Sequence, residues 1–240
     1  MNPFRVVGVI GKRRDPDLVL LGDLCQSLQK LDCEVLLERN PALQPTLQAP
    51  CFDRETLARR CDLVIVVGGD GTLLDAGRAL APAGLPLLGV NQGRLGFMVD
   101  VAPETMHEHL AAIIGGQCVP EDRMILSAVV KRAAAKDSLA HLAVNDVVIR
   151  NQATIRMIEF ETWLDDEFIS NHRADGVIVA SPTGSTSTKP SSAASPTASR
   201  PTPPTRGSSP RPSAISLCSS PAGRTRPSGT SSSGARSTAP

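Results

Sequence analysis

The sequence predicts an α/β layer domain followed by a mainly antiparallel β domain and a tail without structure, and three observations carry that reading. Short apolar runs, Phe4 to Ile10, Leu63 to Val67 and Leu87 to Val90, have the valine-rich character of strands buried on both faces of a parallel sheet. Between them lie segments with helical spacing. After Gly115-Gly116 the runs of β-formers are separated by turns and no longer by helices. From Ser187 the composition collapses.

Taken in order, Phe4 to Ile10 is the first strand, closed by Gly11. Asp17 to Leu31 follows with leucines at 18, 21, 24, 28 and 31, which fall on one helical face. Glu34 to Leu37 reads as a second strand, Asp53 to Arg60 as a short helix, and Leu63 to Val67 as the most strand-like run in the chain. Glycines 68, 69 and 71 then turn the chain, Thr72 to Leu80 resumes a helical pattern, and Leu87 to Val90 returns as a buried strand. Residues 1–100 thus form a Rossmann-like α/β domain.

Pro103 to Ile114 has helical spacing. Met124 to Val130, Ala140 to Ile149, Ile155 to Leu164, Glu167 to Ser170 and Val177 to Ala180 are strand candidates, with Asp165-Asp166 placed to turn a hairpin. Residues 101–186 are expected to be a β-rich second domain, incomplete here.

The tail, 187–240, holds 16 Ser, 7 Thr and 10 Pro, and Ile215 and Leu217 are its only large aliphatics. Such a segment cannot bury enough apolar surface to offset about 1–2 kcal/mol per residue of backbone ordering, so disorder is expected. It carries seven basic residues and no acid, whereas residues 1–186 hold 18 basic against 24 acidic. A body of that charge argues against nucleic-acid and anionic-membrane partners. No run is apolar and long enough for a signal peptide core or a membrane span, which places the protein in the cytoplasm. The six cysteines show no CxxC pairing, so they read as free thiols, without a zinc site or disulfide framework.

Four stretches carry chemistry. VVGGDGTLL, residues 66–74, lies where a parallel strand ends and a helix starts. Gly68, Gly69, Gly71 and Thr72 would let backbone N–H groups approach a polyphosphate, with the helix dipole adding to the attraction. Asp70 is an acid inside that anion site, and accepting a proton from an attacking hydroxyl would explain it. A tight turn with an Asp cap on the next helix is the plainer alternative. GVNQGRLGFM, 89–98, is a second glycine-rich loop at the carboxyl edge of the sheet. AVNDVVIR, 143–150, sets Asn145 and Asp146 in an apolar strand, and RADGVIVASPTGST, 173–186, ends a strand in a loop of hydroxyls and glycine.

In this order the four motifs resemble the signature set of the NAD kinase family over residues 1–186. A bare GGDGT also occurs in diacylglycerol and sphingosine kinases, and GGDGS in phosphofructokinases; the other three motifs point to NAD kinase. The resemblance implies ATP-dependent phosphorylation of the adenosine ribose 2′-hydroxyl of NAD to give NADP, with Mg²⁺ carried mainly by the triphosphate. It makes Asp70 the general base and Asn145 and Asp146 the pair that binds the adenosine portion, Asp146 standing where many members have Glu. Arg156, Arg173 and Asp175 fall at nucleotide-contacting positions, and Thr186 is the last residue that matches. A homo-oligomer built through the β domain is implied for an intact chain. A lipid kinase would need a membrane-binding patch, and none is visible within 1–186. The break after Thr186 falls inside a binding loop, and the acid-free Ser, Pro and Arg composition beyond it is that of GC-rich coding DNA read out of frame. That points to a frameshift, with a natural disordered tail as the plainer alternative, and makes an inactive fragment the alternative reading for the chain as it stands.

Overall fold

The first five strands pair in parallel: β1 (Val6–Gly11), β2 (Glu34–Glu38), β3 (Cys51–Phe52), β4 (Leu63–Gly68) and β5 (Leu87–Asn91), in the order β3-β2-β1-β4-β5. The computed structural model describes residues 3–40, 49–92, 98–99, 101–131, 139–151, 157–187, 214–219 and 235–238. The strand order runs one way from β1 and the other way from β4. Their carboxyl ends, Gly11 and Gly68, therefore flank a topological switch point, the place where an open α/β sheet leaves a crevice.

Alternation along the strands sends side chains to two apolar clusters. Val7, Val9, Val35, Leu37, Ile65 and Val67 pack with Leu21, Leu24 and Leu28 of α1 (Leu18–Lys30) and with Leu110 and Ile113 of α4 (Met106–Ile114). Ile10, Leu36, Val64 and Val66 pack on the opposite face with Leu57 of α2 (Arg54–Arg60) and with Leu73 and Leu80 of α3 (Asp70–Leu80). Each such leucine contributes about 1.5–3 kcal/mol of burial, so α1, with its leucine stripe, is anchored along its whole length. Asp17 caps it, Oδ1 accepting from the Leu20 N–H at 3.0 Å. Three thiols are buried in these clusters. Burial pushes the Cys25 thiol up to about 11 and Cys61 up to about 12, so both are protonated packing groups.

The second half is built of short antiparallel pairings. β7 (Leu126–Val130) pairs with β8 (Leu139–Ala143), β9 (Asp146–Arg150) with β12 (Gly176–Ala180), and β10 (Ile158–Leu164) with β11 (Glu167–Ala174). Asp165 and Asp166 both have positive φ, 49° and 67°, and lie between the paired Leu164 and Glu167, the backbone of a two-residue hairpin turn.

The structure corrects several expectations. Met124 to Val130 is two strands, β6 (Val119–Met124) and β7, because Ile125 between them turns into the cluster of Leu73, Met98 and Val144. Ala140 to Ile149 breaks in the same way at Val144-Asn145. Residues 182–186, expected as loop, and Ser187, expected as the start of the tail, form a short helix, α5 (Pro182–Ser187). Two stretches of the tail that is expected to lack structure are strands. β13 (Ala214–Ser219) lies between β5 and β6, meeting β5 at one residue pair and β6 antiparallel over six, and β14 (Ala235–Thr238) pairs with β10. β13 contains Ile215 and Leu217, the tail's two large aliphatics, and both strands add to an open edge whose N–H and C=O groups need partners. Among the described residues no helix is long and apolar enough to cross a membrane.

Candidate active site

At the carboxyl end of β4 the chain enters α3 at once. Gly69 is the N-cap residue and Asp70 the first helical residue, so Gly71 and Thr72 belong to the first turn and not to a loop before the helix. Sequence reading starts the helix two residues late because glycines there look like a turn. Gly68 has to be glycine for a packing reason: a Cβ on it would stand 2.6 Å from Thr72 Oγ1 and 2.8 Å from Thr72 Cβ. A Cβ at Gly69 or Gly71 would meet nothing within 4 Å among the described residues, so there this part of the helix start is open to an approaching ligand.

Asp70 is half-buried, and its Oδ1 accepts from the backbone N–H of Met98 at 3.0 Å. The N-cap position belongs to Gly69, so the plain capping role weighed for this aspartate is not the one it fills. The bond joins the start of α3 to the far end of the second glycine-rich loop, of which 93–97 lie outside the described residues.

Beside this helix start lies a cavity of about 220 Å³, lined by Gly11, Lys12, Arg13, Arg14, Arg54, Gly71, Thr72 and Asp75. Its walls come from the loop after β1 and the helix after β4, the two sides of the switch point. Four of the lining residues are cationic and one is acidic. Burial alone would raise the Asp75 carboxyl, but the hydrogen bond and charge of Arg54, with help from Arg78 and Arg13, outweigh it and hold the group below the usual carboxylate range. An open helix N-terminus next to such a wall attracts a polyanion.

A second cluster of expected residues forms around Asn145. Its carbonyl accepts from the Ser181 N–H at 2.7 Å, and Ser181 Oγ donates to the Val144 carbonyl at 2.6 Å. Ser181 Oγ also accepts from the Gly184 N–H at 3.2 Å. One buried hydroxyl thus holds the start of α5 against the chain where β8 gives way to β9. Thr183, also buried, accepts from Arg123 of β6 at 3.4 Å between Nη1 and Oγ1. Sequence reasoning quotes Ser181 and Thr183 within their motif without giving either a role, and it passes over Arg123. A serine before Pro-Thr-Gly is a common turn residue, and its partner lies 37 residues away.

Met98, which binds Asp70 through its N–H, and Val144, which precedes Asn145, belong to the same apolar cluster as Leu73. Asp146 opens β9, opposite Ala180. Arg173 and Asp175 are exposed at the passage from β11 to β12, and Arg173 pairs with Glu159 across the hairpin at 3.6 Å. Arg156 lies outside the described residues, and Thr186 is placed by backbone within α5.

The family model of the ATP-NAD kinase N-terminal domain matches residues 28–118, and that of the C-terminal domain matches 144–192, six residues past Thr186. The NAD kinase of Nitrosococcus oceani is 40% identical over 188 residues, covering 78% of this chain and 64% of the relative. That of Saccharophagus degradans is 43% identical over 190 residues with the same coverage. The chain therefore spans about 64% of the length of the curated relatives it matches. Among solved structures, yeast NADH kinase complexed with NADH superposes with a TM-score of 0.69 at 21% identity, covering 78% of this chain and 60% of that one, a likeness of fold. An NAD kinase from Archaeoglobus fulgidus in complex with ATP gives 0.54 at 26% identity, covering 76% and 62%. With residues 28–118 matched by the N-terminal family model, 144–192 by the C-terminal one, and curated relatives at about 40% identity, this chain belongs to the ATP-NAD kinase family.

Proposed function

We propose that the intact protein is an NAD kinase, transferring the terminal phosphoryl group of ATP to the adenosine ribose 2′-hydroxyl of NAD in the cytoplasm and giving NADP and ADP. The observation that carries this reading is the position of Asp70, a carboxylate on the first residue of α3 beside a cationic cavity at the switch point. In this reading Lys12, Arg13 and Arg14 neutralise the donor's phosphates while the open turn at Gly69–Gly71 receives them. Asp70, oriented by the Met98 N–H, takes the proton of the attacking hydroxyl as its oxygen bonds to phosphorus. The Asn145-Asp146 pair holds the adenosine portion, Arg173 and Asp175 flank it, and a homo-oligomer forms through the β half. Mg²⁺ fits this wall as a companion of the triphosphate: Asp75, the one acid lining the cavity among the described residues, is already engaged by arginines.

Asp70→Asn keeps the size of the side chain and removes the base. In a chain extended to the relatives' full length, NADP formation should fall by ~10²–10⁴-fold with NAD binding largely retained. Turnover within threefold of the parent would falsify the assignment.

A further inference from the structure

Arg54 lies on α2, outside all four motifs, yet its guanidinium ties three elements together. Nε bonds Glu38 Oε1 of β2 at 2.6 Å, Nη1 donates to the Asp75 main-chain carbonyl of α3 at 3.2 Å, and Nη2 meets Asp75 Oδ2 at 2.9 Å. The Arg54 side chain is 17% exposed and that of Glu38 7%, so the pair sits largely out of water. A buried ion pair gives little net stability for its desolvation cost, which makes a purely stabilising role a weak explanation. Its geometry does something more specific. By holding both the carboxylate and the carbonyl of one residue, Arg54 adds a second constraint on the rotation of α3 to the one its buried Leu73, Ala76 and Leu80 give it, which a single ion pair would do less well. That rotation decides where Asp70, Gly71 and Thr72 point. Asp75 in turn is approached by Arg13 from the loop after β1, 4.0 Å away and 71% exposed, so the same acid also faces one cation of the opposite cavity wall.

We propose that Arg54 is a positioning residue for the phosphoryl-donor side of the site: through Asp75 it orients the first turn of α3 and Arg13 so that the cavity accepts a chain of linked phosphates. This rests on the kinase reading above for its purpose, but the binding it describes is measurable without turnover. The ligand chemistry is a linear polyanion, shared by ATP and inorganic polyphosphate.

The test is calorimetric titration of the 240-residue chain with inorganic tripolyphosphate, and separately with ATP, alongside thermal denaturation. Arg54→Met should weaken tripolyphosphate binding about tenfold or more, with Arg54→Lys recovering only part of the loss, because an ammonium cannot grip two acceptors in a fixed plane. Leu57→Val, a fully buried change on the same helix, should lower the Tm and leave the affinity within about twofold. Arg13→Ala, at an exposed site that does not threaten folding, should weaken tripolyphosphate about threefold at unchanged Tm. The proposal is overturned if the parent does not bind tripolyphosphate, if Arg54→Met or Arg13→Ala binds like the parent, or if Leu57→Val loses as much affinity as Arg54→Met. Equal weakening of tripolyphosphate and ATP would place the recognised group in the phosphates, and a loss confined to ATP would overturn the proposal by placing it in the nucleoside. Failure of the kinase reading shows differently, as absence of NADP formation in a full-length chain whose tripolyphosphate pattern is intact.

Discussion

Gly184 stands directly against Asn145: a Cβ built on Gly184 would overlap the Asn145 carbonyl oxygen and come within 2.9 Å of its Cα. The first turn of α5 is therefore seated on the backbone that carries the proposed adenosine-binding side chain, through contacts that only glycine allows. Gly184→Ala should force α5 away from the 144–145 segment. A cost of about 1–3 kcal/mol is expected for such overpacking, together with weaker NAD binding. Thermal denaturation and NAD titration of the same sample would show it, and an unshifted Tm would mean that the helix is not held there.

Asn145→Ala leaves that backbone seat untouched, since Ser181 and Gly184 meet Asn145 through its main chain. The variant should raise the KM for NAD with little change in kcat, the pattern of a ground-state contact that persists in the transition state. An unaltered KM would assign the side chain to the interior.

Asp75 makes stability depend on pH in a predictable direction. Its carboxyl titrates below the ordinary value in the folded chain, so its contribution is present above the unfolded value of about 4 and is lost as pH falls through the folded one. Urea unfolding between pH 7 and pH 2.5 should show the parent losing its advantage over Asp75→Asn only in the acid limb. A constant difference across the range would contradict the cause assigned to the shift.

The β half leaves large apolar side chains exposed, with Val148 and Ile178 at 52% and 51% on the paired β9 and β12. The chain also spans only about 64% of its relatives' length. The 240-residue chain is accordingly expected to aggregate on warming and to make little or no NADP, and extension to the relatives' full length to correct both. Light scattering and an NADP assay on the two proteins decide it. Comparable behaviour would show that the remaining third is dispensable.

The parallel half was readable because its determinants are local. The leucines of α1 and its Asp17 cap lie within a few turns of one another, and the apolar runs of β1, β4 and β5 announce themselves. Asp165-Asp166 was readable for the same reason. The ends of elements were harder. Gly69 and Gly71 disguised the true start of α3, and Ile125 and Val144 continued β-like runs that the fold interrupts so that both can reach Leu73. Arg54 could not be found from sequence at all, since its bond to Asp75 spans 21 residues and joins two helices by rotation rather than by pattern. Of the expected site residues, Asp70 is bonded to Met98 and Asn145 to Ser181, whereas Arg173 forms an exposed pair with Glu159.

The ladder between β9 and β12 also constrains how this family of sequences can change length. Asp146 faces Ala180, and the next step of the chain on either side brings Asn145 to Ser181. Residues added between Arg150 and Gly176 lengthen an excursion whose two ends remain clamped, so they leave that meeting point where it is. One residue added or removed inside 146–150 or 176–180 slides the ladder by a full step, turns its side chains to the other face and parts Asn145 from Ser181. Length variation should therefore be selected against in these ten ladder positions and, by the same rule, in 158–164 and 167–174 of the β10–β11 hairpin, and be tolerated only outside the ladders, a rule about insertions that follows from pairing alone.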